Sequence, residues 1–226
     1  MEQIDWPNIE HLEFELSMST SLYHNTLMFL IVLLLCHAAG VSAVRHNLRV
    51  PPAVQSLNVS KYVGRWYQVY GSASVKWTME AGGHCVTADY AFSANRDDVV
   101  TVQNAVSILG RPVKVNGYGI LNPKHAGELD VFLGPPGHGP DPSSAGKFKK
   151  TNYLVFDLGP QVGQYYDYSL VTDPTGITLY VLARNVSRFY QLYDAEVLST
   201  LKDLNFTSFL NKPRKTSQDG CKYVPP

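Results

Sequence analysis

Beyond residue 63 the chain repeats one pattern: a short run rich in Val, Tyr and Thr, then a turn signal. Eight such runs fall at roughly 64 to 72, 84 to 94, 98 to 108, 112 to 121, 127 to 134, 150 to 158, 164 to 172 and 176 to 184. They are separated by stretches such as Ala94-Asn95-Arg96-Asp97, Gly110-Arg111-Pro112, Asn122-Pro123-Lys124-His125, Gly159-Pro160 and Asp173-Pro174-Thr175-Gly176, which favour reversal of the chain. β-Branched and aromatic side chains suit a pleated, half-buried surface, and runs at this spacing fold as an all-β sandwich or barrel. One stretch after them reads as helix. From Asp194 to Leu204 the apolar residues Val197, Leu198, Leu201 and Leu204 share a face, and Asp194 suits the N-cap.

The first run opens Gly64-Arg65-Trp66-Tyr67 and the last ends Leu182-Ala183-Arg184. A glycine ahead of a tryptophan lets the backbone pass close to something bulky. An arginine closing an apolar strand needs acceptors or an aromatic face, and a guanidinium over an indole contributes ~0.5–2 kcal/mol. With these residues the chain resembles the lipocalin family, whose signature is Gly-x-Trp on the first barrel strand and an arginine at the end of the last. Pro52-Ala53-Val54-Gln55, Lys61-Tyr62-Val63, and Gly83-His84-Cys85 with Tyr90 five residues on are similar to the apolipoprotein D and bacterial-lipocalin branch. The resemblance runs from about Pro51 to Cys221.

The resemblance implies an eight-stranded antiparallel up-and-down β-barrel, with the helix packed outside and room inside for one small ligand. Gly64, Trp66 and Arg184 then form a structural clamp at the closed end. Tyr90 and Asn104 fall at the family's pocket positions; strand parity adds Ala88, Phe92, Val102, Val106, Leu182 and Tyr180. The ligand-binding residues expected are therefore Tyr90, Phe92, Val102, Asn104 and Tyr180. With no Lys, Arg or carboxylate placed among them, the expected ligand is lipophilic with at most one polar end, and a fatty acid would keep its carboxylate at the wet mouth. Of the loops at that mouth, one carries Trp77 and Met79, suited to a membrane, lipoprotein or receptor surface. The other, Gly134 to Lys150, is Pro- and Gly-rich and reads as a lid or a solvated excursion.

The sequence divides into residues 1 to 43, an N-terminal extension with a secretory signal peptide, and 44 to 226, the lipocalin domain. Leu27 to Leu35 is an apolar core of signal length, and Val41-Ser42-Ala43 a cleavage site that starts the mature chain near Val44. This run is short of the ~20 residues a bilayer span needs. The stretch before it is long and acidic, and Met18 is the better initiator. Residues 1 to 43 contain five acids and no Lys or Arg, so a formal charge of zero leaves 14 acids against 19 bases in the domain. Loss of Cys36 with the signal leaves Cys85 and Cys221, an even pair in an oxidising route, and the resemblance implies a disulfide between them. Asn58, Asn185 and Asn205 head glycosylation sequons.

No cofactor or metal is expected, since His46, His84, His125 and His138 are isolated and no Cys-x-x-Cys occurs. Lys147-Phe148-Lys149-Lys150 is too small a basic patch for nucleic acid. Catalysis is not expected either: no Gly-x-Ser-x-Gly elbow is present, and a lipocalin-type isomerase needs a free cysteine thiolate in its cavity. The expected function is a secreted carrier of a small hydrophobic ligand of the fatty acid, steroid, retinoid or tetrapyrrole type. The alternatives are a protein acting on membranes or receptors through its mouth loops, and the isomerase.

Overall fold

The computed structural model describes residues 50–80 and 82–226; the apolar run 27–35, Cys36, the cleavage expected before Val44, and His46 lie outside them. Strands β1 (Gly64–Gly71), β2 (His84–Ser93), β3 (Arg96–Ile108), β4 (Arg111–Leu121), β5 (Glu128–Leu133) and β6 (Tyr153–Leu158) pair in chain order. Past a small hairpin, β7 (Gln161–Val162) with β8 (Tyr165–Tyr166), come β9 (Tyr168–Thr172) and β10 (Leu179–Ala183), and β10 returns to β1. The result is the expected closed barrel of eight antiparallel strands. Closure leaves no long strand edge to recruit another chain.

Alternation along the strands separates two cores. Trp66, Ala88, Tyr90, Val102, Val155, Val171 and Leu182 cluster inside the barrel. Val69, Leu170, Val181 and Ala183 cluster outside it, beneath Phe189 of α3 and Val197 and Leu201 of α4. These helices span Val186–Leu192 (α3) and Asp194–Asp203 (α4). Because β9 and β10 are covered on both faces, nearly every residue in them is buried rather than every second one.

Several local expectations are corrected. The N-cap of α4 is Tyr193, and the Asp194 carboxylate instead accepts from the Tyr70 hydroxyl at 2.8 Å. Helix α3 was not foreseen, although Asn185 caps it by accepting from the Arg188 N–H at 2.9 Å. The seventh run splits at Asp167, whose carboxylate is held by Arg188 at 2.8 and 2.6 Å. The sixth starts only at Tyr153, because Lys149 and Lys150 turn their amides onto Asp130. Residues 134 to 150 do not form a lid. They descend the outer face of β3 and β4, where Ala145 and Phe148 pack on Val99, Tyr118 and Ile120 and Arg96 donates to the Ala145 and Gly146 carbonyls.

The C-terminal segment completes the wall. β1 pairs with β2 only from Gly64 to Tyr67, after which β11 (Arg214–Lys215) lies against it. The Thr216 N–H donates to Val69, Cys85 to Ser217, and the Gln218 amide to both Gln68 and Val86, all within 2.9 Å. Cys85, at φ 57, bulges to allow this. Its disulfide to Cys221, with Cα atoms 5.5 Å apart, fixes the segment in place as expected.

At the other end Arg184 leaves β10 and lies 3.7 Å over the Trp66 ring, with Tyr165 of the β7–β8 hairpin on its other side at 4.9 Å. Its guanidinium donates to the carbonyls of Arg65 at 2.7 Å and of Tyr62 and Val63 at 2.8 Å. Tyr62 ends a helical turn, α1 (Val59–Tyr62), whose last carbonyl also accepts from the Trp66 indole at 2.8 Å. Gly64 sits at φ 96, and a Cβ there would lie 3.2 Å from the guanidinium, so both conformation and space require glycine. Burial lowers the Arg184 pKa to about 10, which leaves it charged at neutral pH. Replacing Arg184 by Ala strands these carbonyls and should cost roughly 2–4 kcal/mol of unfolding free energy. Equal denaturation midpoints for Arg184→Ala and the parent would show that the clamp does not hold the barrel shut.

Candidate ligand-binding site

The interior is sealed below and open above. Its floor is aromatic: the Tyr62 ring stands 5.2 Å from Trp66 and 5.6 Å from Tyr90, and Tyr90 stands 6.3 Å from Tyr153. Their hydroxyls are linked, Tyr62 to Tyr153 at 2.8 Å, Tyr153 to Tyr90 at 3.0 Å and Tyr62 to Ser169 at 3.1 Å. Burial pushes all three phenol pKa values up, so each keeps its proton.

Above the floor the register carries the inward positions round the wall. Asn104 faces Val115 and Val106 faces Val113 across β3 and β4; Gly119 and Gly117 face Val131 and Leu133 across β4 and β5. Asn104, Val113, Val115, Val131 and Tyr180 are half-buried and Leu133 is 42% exposed, although their parity aims them inward. Solvent therefore reaches the upper interior and, on the floor, Tyr153, while Tyr62, Trp66 and Tyr90 are buried. Aliphatic walls with one amide and a ring of phenols make an apolar pocket with few orienting groups.

The five residues expected to bind ligand do not form one patch. Tyr90 and Val102 belong to the floor, Asn104 to the wall. Tyr180 lies opposite Gly71 at the mouth, where its hydroxyl donates to the Met79 sulfur at 2.9 Å. Phe92 is displaced from the interior altogether. β1 begins opposite Tyr90, so two residues further along β2 no first strand remains to enclose the ring, and it is 49% exposed.

A second correction concerns charge. Glu80, at the end of the mouth loop that includes helix α2 (Ala73–Thr78), is 4% exposed. Its carboxylate accepts from the inward Gln68 amide at 2.6 Å and pairs with Lys76 at 3.4 Å; Gln68 and Lys76 also reach the Thr216 hydroxyl, each at 3.0 Å. Parity with Trp66 could have nominated Gln68. Nothing local marks Glu80 as buried, because its partners come from β1 and from the far C-terminus. Next to it, outside the mouth, Trp77 packs on Phe209 with the ring centroids 5.2 Å apart and the planes tilted by 50°, and both rings are well exposed, as are Met79 and Leu210.

A groove of about 650 Å³ is lined by Arg65, Asp89, Gln103, Asn116 and Pro226 and also touches Tyr90 and Val102 of the floor strands. Its charged wall is already satisfied, since Arg65 pairs with Asp89 at 2.8 Å and donates to the Val224 carbonyl at 2.7 Å. The interior is the better candidate for a ligand.

Desolvation raises the Glu80 pKa above the ordinary 4.5, with Lys76 and Gln68 pulling it back. The folded state then binds this proton more tightly than the unfolded one, so the group's contribution is complete below 4.5 and is lost as pH rises through the folded pKa. Between pH 7 and about 5 the stability of Glu80→Gln should therefore change less than the parent's. Parallel stability–pH curves for the two proteins would remove Glu80 from the account.

The family profile described as a lipocalin-like domain matches residues 57–207. No curated protein sequence matches significantly. Among solved structures, a biogenic amine-binding protein is similar at 15% identity and a TM-score of 0.50, covering 77% of this chain and 90% of that one. The cockroach allergen Per a 4 is similar at 16% identity and a TM-score of 0.46, covering 74% and 92%. The siderocalin Ex-FABP is similar at 16% and 0.43, covering 73% and all of that chain. Identities this low speak to the fold alone. The profile, however, spans the barrel from the turn before Gly64 to the end of α4, and by that match the chain belongs to the lipocalin-like domain family.

Proposed function

We propose that this protein is a secreted carrier that holds a small lipophilic molecule inside the barrel and leaves it chemically unchanged. The observation that carries the reading is the contrast between the sealed aromatic floor and inward side chains above it that remain open to solvent. Fatty acids, steroids, retinoids and tetrapyrroles are the candidate classes, and the Gly83-His84-Cys85 motif with Tyr90 supports a place near the apolipoprotein D and bacterial branch. Secretion is supported by the disulfide. Asn58, Asn185 and Asn205 are exposed, and the caps made by Asn58 and Asn185 use only the amide oxygen, so each nitrogen is open to a glycan. An isomerase is not favoured, because both cysteines of the described residues are tied in one bridge.

Titration of a neutral sterol, retinol and a fatty acid against intrinsic fluorescence tests the carrier reading. Val115→Trp, which fills the half-open wall, should weaken whichever ligand binds by about tenfold or more without lowering the melting temperature. Binding that survives it undiminished places the ligand elsewhere.

The exposed Trp77–Phe209 pair favours a second reading, contact with a lipid surface at the mouth. Arg214 lies 5.7 and 5.3 Å from the two rings and adds positive charge beside Met79 and Leu210. Anionic vesicles should retain the protein, and Trp77→Ser/Phe209→Ser should reduce that retention several-fold. Unchanged partitioning of the double variant would dismiss the patch.

A further inference from the structure

The hydroxyls of the floor can be counted. Ser169, Tyr62, Tyr153 and Tyr90 form an open chain of four O–H groups joined by three contacts. Each contact consumes one proton, and each group supplies one. Whichever way the bonds run, one proton is left without an acceptor in the chain, and among the described residues no further acceptor is within hydrogen-bonding reach of these four oxygens. A buried donor left in this state is costly. The count requires every phenol to be protonated, which burial ensures at neutral pH.

The spare proton has a direction. At the Ser169 end the contact is buried, whereas the two contacts of the Tyr153 hydroxyl are only part-buried, and Tyr153 is the least buried member of the chain. The Tyr153–Tyr90 end therefore looks up into the interior. In the same cluster Val102, Val155, Val171 and Leu182 offer no side-chain acceptor, and the Tyr180 hydroxyl makes no hydrogen bond to either phenol, donating instead to the Met79 sulfur.

We propose that the barrel selects ligands with a neutral hydrogen-bond acceptor, a ketone, aldehyde, ester or ether oxygen, at the end that enters first, and that this oxygen accepts the spare proton of the Tyr153–Tyr90 pair. The inference rests on the carrier reading and reverses the polar-end-outward orientation that composition alone suggests. A neutral acceptor fits and a carboxylate does not. One phenol donor can replace the water that a carbonyl gives up, but it cannot compensate a buried full charge. Among the described residues the guanidinium beside Tyr62, that of Arg184, is already spent on backbone carbonyls.

The test uses two ligands of one shape, methyl naphthyl ketone and isopropenylnaphthalene, which differ in C=O against C=CH2. Calorimetry should show the ketone binding roughly three- to tenfold tighter than the alkene, and the carbonyl stretch of the bound ketone should shift to the lower frequency of a hydrogen-bonded group. In Tyr90→Phe/Tyr153→Phe the two affinities should converge and the infrared shift disappear, while Asn104→Leu, which removes the amide of the wall, should change the two affinities alike and keep the shift. Equal affinities in the parent, an unshifted carbonyl band, or a preference lost in Asn104→Leu and kept in the double variant would each overturn the inference while leaving the carrier reading in place. Failure of the parent to take up either compound would overturn both. The infrared band of the parent decides the matter even if the double variant does not fold.

Discussion

The closed end of the barrel holds a positive charge that makes no ion pair among the described residues. Arg184 follows the last strand, and its guanidinium is compensated by five main-chain carbonyls, of Lys61, Tyr62, Val63, Arg65 and Tyr166, and by two aromatic faces. Asp167, whose carbonyl accepts from the Arg184 main-chain N–H, has its carboxylate engaged by Arg188. Carbonyl dipoles fixed by α1 and the start of β1 hold the charge only while those segments keep their geometry. The arginine and the closed end therefore stabilise each other. A carboxylate in their place would pair with the arginine whether or not the strands had met. The carbonyls make the interaction conditional on closure.

The opposite end is built on a different principle. There the first two strands part, and the gap is filled by residues more than 120 positions away in the chain. Thr216 brings its hydroxyl to Gln68 and Lys76, and these two hold Glu80 under the mouth loop. Strand, loop and tail meet in one buried polar cluster whose members are satisfied only by one another. Such a cluster fixes a single arrangement, because any partial version leaves a polar group dry and unpaired.

This division explains what could be read from the sequence. Strand periodicity is local, so eight runs were legible, whereas the clamp at Gly64, Trp66 and Arg184 and the pairing of Cys85 with Cys221 were implied by the family resemblance. The family resemblance named Tyr90 and Asn104 and parity added Val102 and Tyr180, and all four have inward parity in the strand register. Parity could not say at which height, since height follows from where each neighbouring strand starts and stops; Phe92 has the right parity but lies beyond the barrel. Contacts set by distant chain were not legible. Glu80 has the composition of an exposed loop acid, and the Pro/Gly-rich insert gives no sign of Ala145 seating against Val99 and Ile120. Tyr62 and Tyr153 stand outside any strand-to-strand register with each other, so their shared hydrogen bond has no trace in the sequence pattern.

The two ends together shape the interior as a graded medium. Below, hydroxyls are buried and linked to one another; above, a carboxylate and an amide are held by the wall; between them the lining is Val, Leu and Ala with the single amide of Asn104. A molecule entering this space exchanges water for hydrocarbon over most of its length, which favours an apolar body at ~25 cal/mol per Å² buried, less the cost of association. Polar atoms along that body would find no partner in the walls except at Asn104 and would each cost a lost hydrogen bond. Polar atoms at its ends meet groups already committed to holding the barrel together. The side chains that could orient a ligand are thus the same ones that the fold needs at its floor and mouth, so the positions least free to vary for structural reasons also carry the selectivity.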